Sequence, residues 1–235
     1  MKTLANCISV ILLLTLNVGY SNAQLKHEYV DLGLPSGTLW ATCNVGAENP
    51  WDYGDYFAWG ETEPKEATYN YTWQYYKYAN TRKITKYCTN EERGYNGFTD
   101  GKIRLEPDDD AATTNWGGEW CMPTEEQWKE LTHNCVWTMA TQNGINGYEA
   151  KGPNGNTIFL PASGHKDGYD EGCILTTGPV DRTSIGKFGC YWSSSLYEQS
   201  GAFMFYLYFM ENDKPGVIAE YRYMGQSVRP VRCKQ

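Results

Sequence analysis

Between Tyr29 and Val45 short apolar groups are cut by Gly33, Pro35 and Gly37, which predicts two short strands around a Pro-Ser-Gly turn. Residues 51 to 110 then mix Tyr, Trp, Asn, Gly and charged residues without a sustained period of 2.0 or 3.6, and read as one long irregular excursion. Excursions of that length are uncommon in compact domains and are usually functional or disordered; the aromatic density of this one argues for order. The clearest helix signal follows. Thr124 stands as N-cap with Gln127 three residues on as its capping-box partner. Trp128, Leu131 and Cys135 share one apolar stripe, while Glu125, Glu126 and Lys129 face water. This helix should run from Glu125 to about His133. A shorter one is expected from near Asp108 to Asn115, with Asp108, Asp109 and Asp110 as solvated charges at its positive end.

Beyond Cys135 the period changes to two. The segments VWTMAT, GYEAKG and NTIFLPAS are separated by Asn143-Gly144 and Asn154-Gly155, strong hairpin signals that predict an antiparallel meander. Residues 164 to 190 read as a second glycine-rich loop. YWSSS, AFMFYLYFM, VIAEYRYM and SVRPVR then follow as strands, with turns at Lys214-Pro215-Gly216 and Gly225-Gln226. One capped helix followed by a run of strands predicts an α+β class.

The one long apolar stretch stands near the start. Ile8 to Val18 is almost wholly apolar, Lys2 precedes it, and Ser21-Asn22-Ala23 offers a small-x-small cleavage pattern, so a signal peptide cut after Ala23 is expected. A run of 11 residues falls well short of the roughly 20 that span a bilayer. No cysteine stands at the cleavage point for a lipid anchor. The expectation is therefore one exported domain, residues 24–235, without membrane insertion, secreted, periplasmic or held at the cell surface through a partner.

Composition narrows the function. Residues 24–235 carry 19 basic against 28 acidic side chains, a net charge of −9, which argues against nucleic acid and against an anionic membrane surface. Nine Trp and 19 Tyr against 7 Phe are unusual. Tyr and Trp join an apolar face to a polar handle and suit both core packing and recognition of sugars or peptides. Seven cysteines remain after processing, Cys43, Cys88, Cys121, Cys135, Cys173, Cys190 and Cys233. An exported chain allows up to three bridges with one thiol left over, and the pairing stays open. There is no C-x-x-C pair, and His27, His133 and His165 are far apart, so no zinc site is expected.

Six ordered segments carry a family resemblance: VDLGLPSGTLWATCNVG, YGDYFAWGET, DDDAATTNWGGEWCMPTEEQW, NGNTIFLPASG, YWSSS and SVRPVR. Together they resemble the Fibrobacter succinogenes major paralogous domain of exported bacterial proteins, over essentially the whole processed chain. That family is similar to the formylglycine-generating, sulfatase-modifying group, whose fold is a variant of the C-type lectin. WCMPTEEQW looks like that group's Arg-Leu-Pro-Thr-Glu-x-Glu-Trp signature, with Cys121 in place of the arginine. The resemblance implies a C-type-lectin-like α+β fold in which YVDLGL or LWATCNV lies beside SVRPVR. It also puts the oxidase chemistry in doubt, because the late copper-binding cysteine pair has no counterpart between Cys190 and Cys233.

Other catalytic readings are weaker. Ser193, Ser194 and Ser195 lack a G-x-S-x-G elbow and read as hydroxyls at a strand end. Asp108, Asp109 and Asp110, with Asp167 or Asp170, could be imagined around calcium, but the spacing of a self-contained calcium loop is missing and no cofactor is expected. Binding is the preferred function, with a glycan or protein as the unidentified partner. On AFMFYLYFM, Phe203, Phe205, Leu207 and Phe209 alternate with Met204, Tyr206, Tyr208 and Met210. One face would be core. The other, with Trp192, Tyr197, Tyr206, Tyr208, Tyr221, Arg222 and Tyr223, is the expected aromatic recognition surface. The alternatives are a structural protein of the cell envelope or an enzyme of the sulfatase-modifying type.

Overall fold

The computed structural model describes residues 27–168, 185–197 and 215–233, and the backbone alone of 201–208. The expected signal peptide, Cys173, Asp170 and the core of the second glycine-rich loop lie outside the described residues. The fold is mixed α and β, with mostly antiparallel strands and few helices. Strands β1 (Tyr29–Asp31) and β2 (Leu39–Ala41) form the first hairpin, around Gly37 at φ 70°. The excursion that follows holds four short 3-10 turns and one small hairpin, β3 (Ala79–Asn80) with β4 (Lys83–Ile84). Helix α1 (Ala111–Trp116) and strand β5 (Trp120–Cys121) lead into α2 (Glu125–Asn134). The meander is β6 (Val136–Gln142), β7 (Ile145–Lys151) and β8 (Thr157–Pro161). Strands β9 (Phe188–Tyr197), β10 (Gly201–Tyr208) and β11 (Gly216–Glu220) make a second three-stranded sheet, and β12 (Val231–Arg232) ends the chain. Among the described residues, no helix is long and apolar enough to cross a membrane.

Local rules explain the elements that the pattern predicts. The Thr124 hydroxyl accepts from the Gln127 amide while the Gln127 side chain accepts from the Thr124 amide, so two orphan donors at the start of α2 are satisfied reciprocally. Trp128 and Leu131 are fully buried under this helix. Asn143 and Gly144 both take positive φ, 48° and 81°, the geometry of the two-residue turn whose twist matches its strands.

Packing overrules the expectation for the aspartates. Asp108 is exposed, but Asp109 and Asp110 are buried rather than solvated. Asp110 caps α1, accepting from the amides of Ala112 and Thr113, and also accepts from the Met122 amide just past β5. One carboxylate thus joins the short helix to the strand after it. The serines are corrected too. Ser193, Ser194 and Ser195 lie buried within β9 rather than at a strand end, where the Ser195 hydroxyl accepts from the Glu125 amide and the Ser194 amide bonds the Pro123 carbonyl.

Strand β12 closes the molecule by pairing on one side with β2 (Val231 opposite Trp40) and on the other with β5 (Val231 opposite Cys121). Just before it, Arg229 is wholly inaccessible to solvent. Its Nε donates to Asn44 Oδ1 at 2.7 Å, and Nη1 reaches the carbonyls of Ala41, Thr42 and Phe159 at 3.3, 3.1 and 3.0 Å. One guanidinium therefore ties the first hairpin, the meander and the C-terminal segment together. Replacing it with methionine fills the space but leaves buried acceptors unmet, so the urea midpoint of Arg229→Met should report a loss of about 3–5 kcal/mol. Arg229→Lys, which lacks the planar fork, should recover less than half of that loss.

Candidate functional site

A cleft of about 370 Å³ opens between the excursion and the end of the second sheet. Three of the sequence-predicted residues line it, Tyr197, Tyr221 and Arg222. The excursion supplies most of the rest, including Trp73, Arg82, Lys83 and Arg93.

The anticipated aromatic surface is narrower than its pattern suggested. Trp192 is wholly buried, and its indole N–H donates to the Phe57 carbonyl at 2.7 Å, so it is a core residue and not a contact residue. Alternation fails here because β9 is buried on both faces from Gly189 to Leu196. Tyr223 is 5 % exposed and Arg222 likewise, against 47 % for Tyr221. Tyr197 is half-buried. The side chains of Tyr206 and Tyr208, with those of Phe203, Phe205 and Leu207, lie outside the described residues, as do Phe209 and Met210 altogether.

Tyr221, Tyr223 and Trp73 form one aromatic cluster. Tyr221 stacks on Tyr223 with centroids 5.5 Å apart and planes 13° from parallel. Trp73 meets both edge-on, at 6.3 and 5.2 Å. Offset stacks and edge contacts of this kind suit the quadrupoles of the rings and hold Tyr221 in place although half its surface is free. Arg222, its neighbour in sequence, packs on other groups. Its guanidinium lies 5.3 Å from the Trp59 ring, Nη1 donates to the Lys86 carbonyl at 3.3 Å, and a further bond is made to the Tyr76 hydroxyl, which itself donates to the Trp59 carbonyl. The Nε of Arg222 is buried without an acceptor among the described residues. Burial pulls its pKa below the usual guanidinium range, opposed by the Tyr76 oxygen.

The excursion's wall is held by two carboxylates. Asp100 accepts from the amides of Tyr87 at 2.7 Å and Cys88 at 2.9 Å, fixing a turn in which Tyr87 adopts φ 59°. Asp109 accepts from the hydroxyls of Tyr78 and Tyr87 and pairs with Lys86 at 2.5 Å. Burial alone would raise the Asp109 carboxyl, but the bonds from Lys86, Tyr78 and Tyr87 outweigh it and hold the pKa at about 2. The rim is the β3–β4 hairpin, whose two turn residues Thr81 and Arg82 take φ 47° and 68°. A β-branched threonine in the left-handed region is uncommon, and such strain clusters at binding and catalytic sites.

The sequence reading missed Trp73, Arg82, Lys83 and Arg93. The hairpin carries Thr-Arg where Asn-Gly would have announced it. A signal was present nonetheless: Arg82, Lys83, Lys86 and Arg93 crowd into twelve residues of an acidic chain. Among the described residues no His, Cys, Asp and Glu side chains converge in threes around a cation position. Asp109 and Asp110 already serve hydroxyls, ammonium groups and amides. Cys121 and Cys233 do meet, thiol to thiol, beside the β5–β12 pairing and outside the cleft; burial raises both pKa values. All six described cysteines are free thiols. Comparison of the chain with protein-family models, curated proteins and solved structures gives no match in any of the three.

The depressed Asp109 pKa fixes the sign of an acid response. Stability that this carboxylate contributes is complete above its unfolded value near 3.8 and is lost as pH falls toward 2. Between about pH 5 and about pH 3 the wild type should lose roughly 1 kcal/mol more than Asp109→Asn. Urea titrations of the two proteins at both pH values measure that difference; parallel losses would remove Asp109 from the acid response.

Proposed function

We propose that this chain is an exported binding module of the Fibrobacter succinogenes major paralogous type, with a C-type-lectin-like fold, and that it holds a glycan in the cleft between the excursion and β11. The observation that carries the reading is the Trp73–Tyr221–Tyr223 cluster, which offers one half-exposed tyrosine face beside buried polar groups. A sugar ring presents C–H bonds on its faces and hydroxyls at its edge. It pairs with an aromatic face and convergent hydrogen-bonding groups in the way that binding clefts combine apolar walls with a few placed polar atoms. A flat protein interface would bury on the order of 800 Å² per partner, a larger demand than this cleft makes.

The lectin-like reading draws support from the pairing of β2 with β12, the arrangement that the family resemblance implies for the two ends of the domain. Binding is favoured over sulfatase-modifying chemistry for a physical reason. That chemistry needs two thiolates together in a cleft, whereas Cys88 is the one described cysteine that lines it, and Cys121 and Cys233 stand away from it with burial keeping their protons on.

A glycan and peptide array probed with the wild type and Tyr221→Ala tests the proposal. Tyr221 is half-exposed, so its loss should cost under about 1 kcal/mol of stability. Glycan signals should fall at least about tenfold, the usual weight of an aromatic anchor. Glycan signals that survive the substitution unchanged, or hits confined to peptides, would sink this assignment.

A further inference from the structure

Resting on the glycan-binding reading of the same cleft, we infer that its ligand is acidic, a uronate-containing saccharide whose carboxylate is gripped by Arg222. Arg222 is 5 % exposed yet lines the cleft. Its described partners are neutral oxygens, the Lys86 carbonyl and the Tyr76 hydroxyl, and its Nε has no acceptor among the described residues. No described carboxylate pairs with it. The acid that acts on it electrostatically, Asp100, is already engaged by the amides of Tyr87, Cys88 and Lys102. A buried cation without a counter-charge is costly, and a ligand anion that supplied the charge would recover much of that cost on binding.

The geometry of the donor selects the ligand's group. A guanidinium is a planar fork of donors that matches the geometry of a carboxylate. Arg222 and Tyr221 are adjacent in sequence, and both line the cleft. A six-membered sugar ring against Tyr221 would carry its C5 carboxylate toward Arg222. The rim agrees in sign. Among the described residues that line the cleft, Arg82, Lys83 and Arg93 stand against one acid, Glu92, on a chain whose net charge is −8. A local positive field on an acidic protein steers anions to this one place.

Isothermal titration of the purified protein decides the matter, using tetrasaccharides of galacturonate, glucuronate, mannuronate and guluronate beside their carboxyl-reduced, neutral counterparts. At least one acid form should bind at least about tenfold tighter than its neutral counterpart, the discrimination that a bidentate charged contact supports. Arg222→Gln should bind the acid and neutral forms within about twofold of each other. Because Arg222 packs on Trp59, a second variant keeps the test independent of folding: the exposed pair Arg82→Gln/Arg93→Gln should lower the acid preference about threefold through lost field alone. Acid and neutral forms bound equally by the wild type would overturn the inference while leaving glycan binding intact. Absence of binding to every saccharide in either form would overturn both.

Discussion

Arg229 is the constraint on which the rest of the structure depends. A guanidinium sealed from water must find acceptors for its donors, and here they come from segments far apart in the chain: Asn44, Ala41 and Thr42 near the first hairpin, and Phe159 in β8. Without those oxygens the buried charge would be prohibitive; without the charge, buried carbonyls would be left unmet. The group works only when the hairpin, the meander and the C-terminal segment are in register together. It therefore acts as a check on tertiary assembly and holds β12 in place between β2 and β5.

Inside that frame β9 does the second organising task. Buried on both faces, it offers carbonyls that no water can reach, and indoles from distant segments use them. Trp59 donates to Ser193 and Trp128 to Trp192, while Trp192 itself donates to Phe57. The high tryptophan content thus answers a structural need. These three indole N–H groups reach buried backbone carbonyls, and the rings fill the space between. The long excursion can be ordered without regular secondary structure because side chains take over its hydrogen bonding: Tyr76, Tyr78, Tyr87, Asp100 and Asp109 each bond a neighbour within it. Its position along β9 and β11 then makes one wall of the cleft.

The two buried arginines differ instructively. Arg229 meets four protein oxygens, with Nη2 left without an acceptor among the described residues. Arg222 meets two neutral oxygens, and its Nε is likewise buried and unmatched among the described residues. Both carry one unmatched nitrogen, and what separates them is place: Arg229 is enclosed by carbonyls from distant segments, whereas Arg222 lines the cleft.

What the sequence determined by itself was local. The capping box at Thr124 and Gln127, the Asn143-Gly144 turn, the short helix after the aspartates and the two strands around Gly37 depend on contacts within a few residues, and propensity and turn chemistry settle those. The tertiary structure alone decided the charge state and company of Asp109, the burial of Trp192 and Tyr223, and the existence of the cleft. Trp73, the residues from Arg82 to Arg93, Tyr197 and Arg222 meet across as many as 149 positions, from 73 to 222. No short-range pattern records such a meeting, because it follows from how the core packs. Tyr221 and Trp192 look alike on a sequence; whether an aromatic faces water or the core depends on which other segments arrive to cover it.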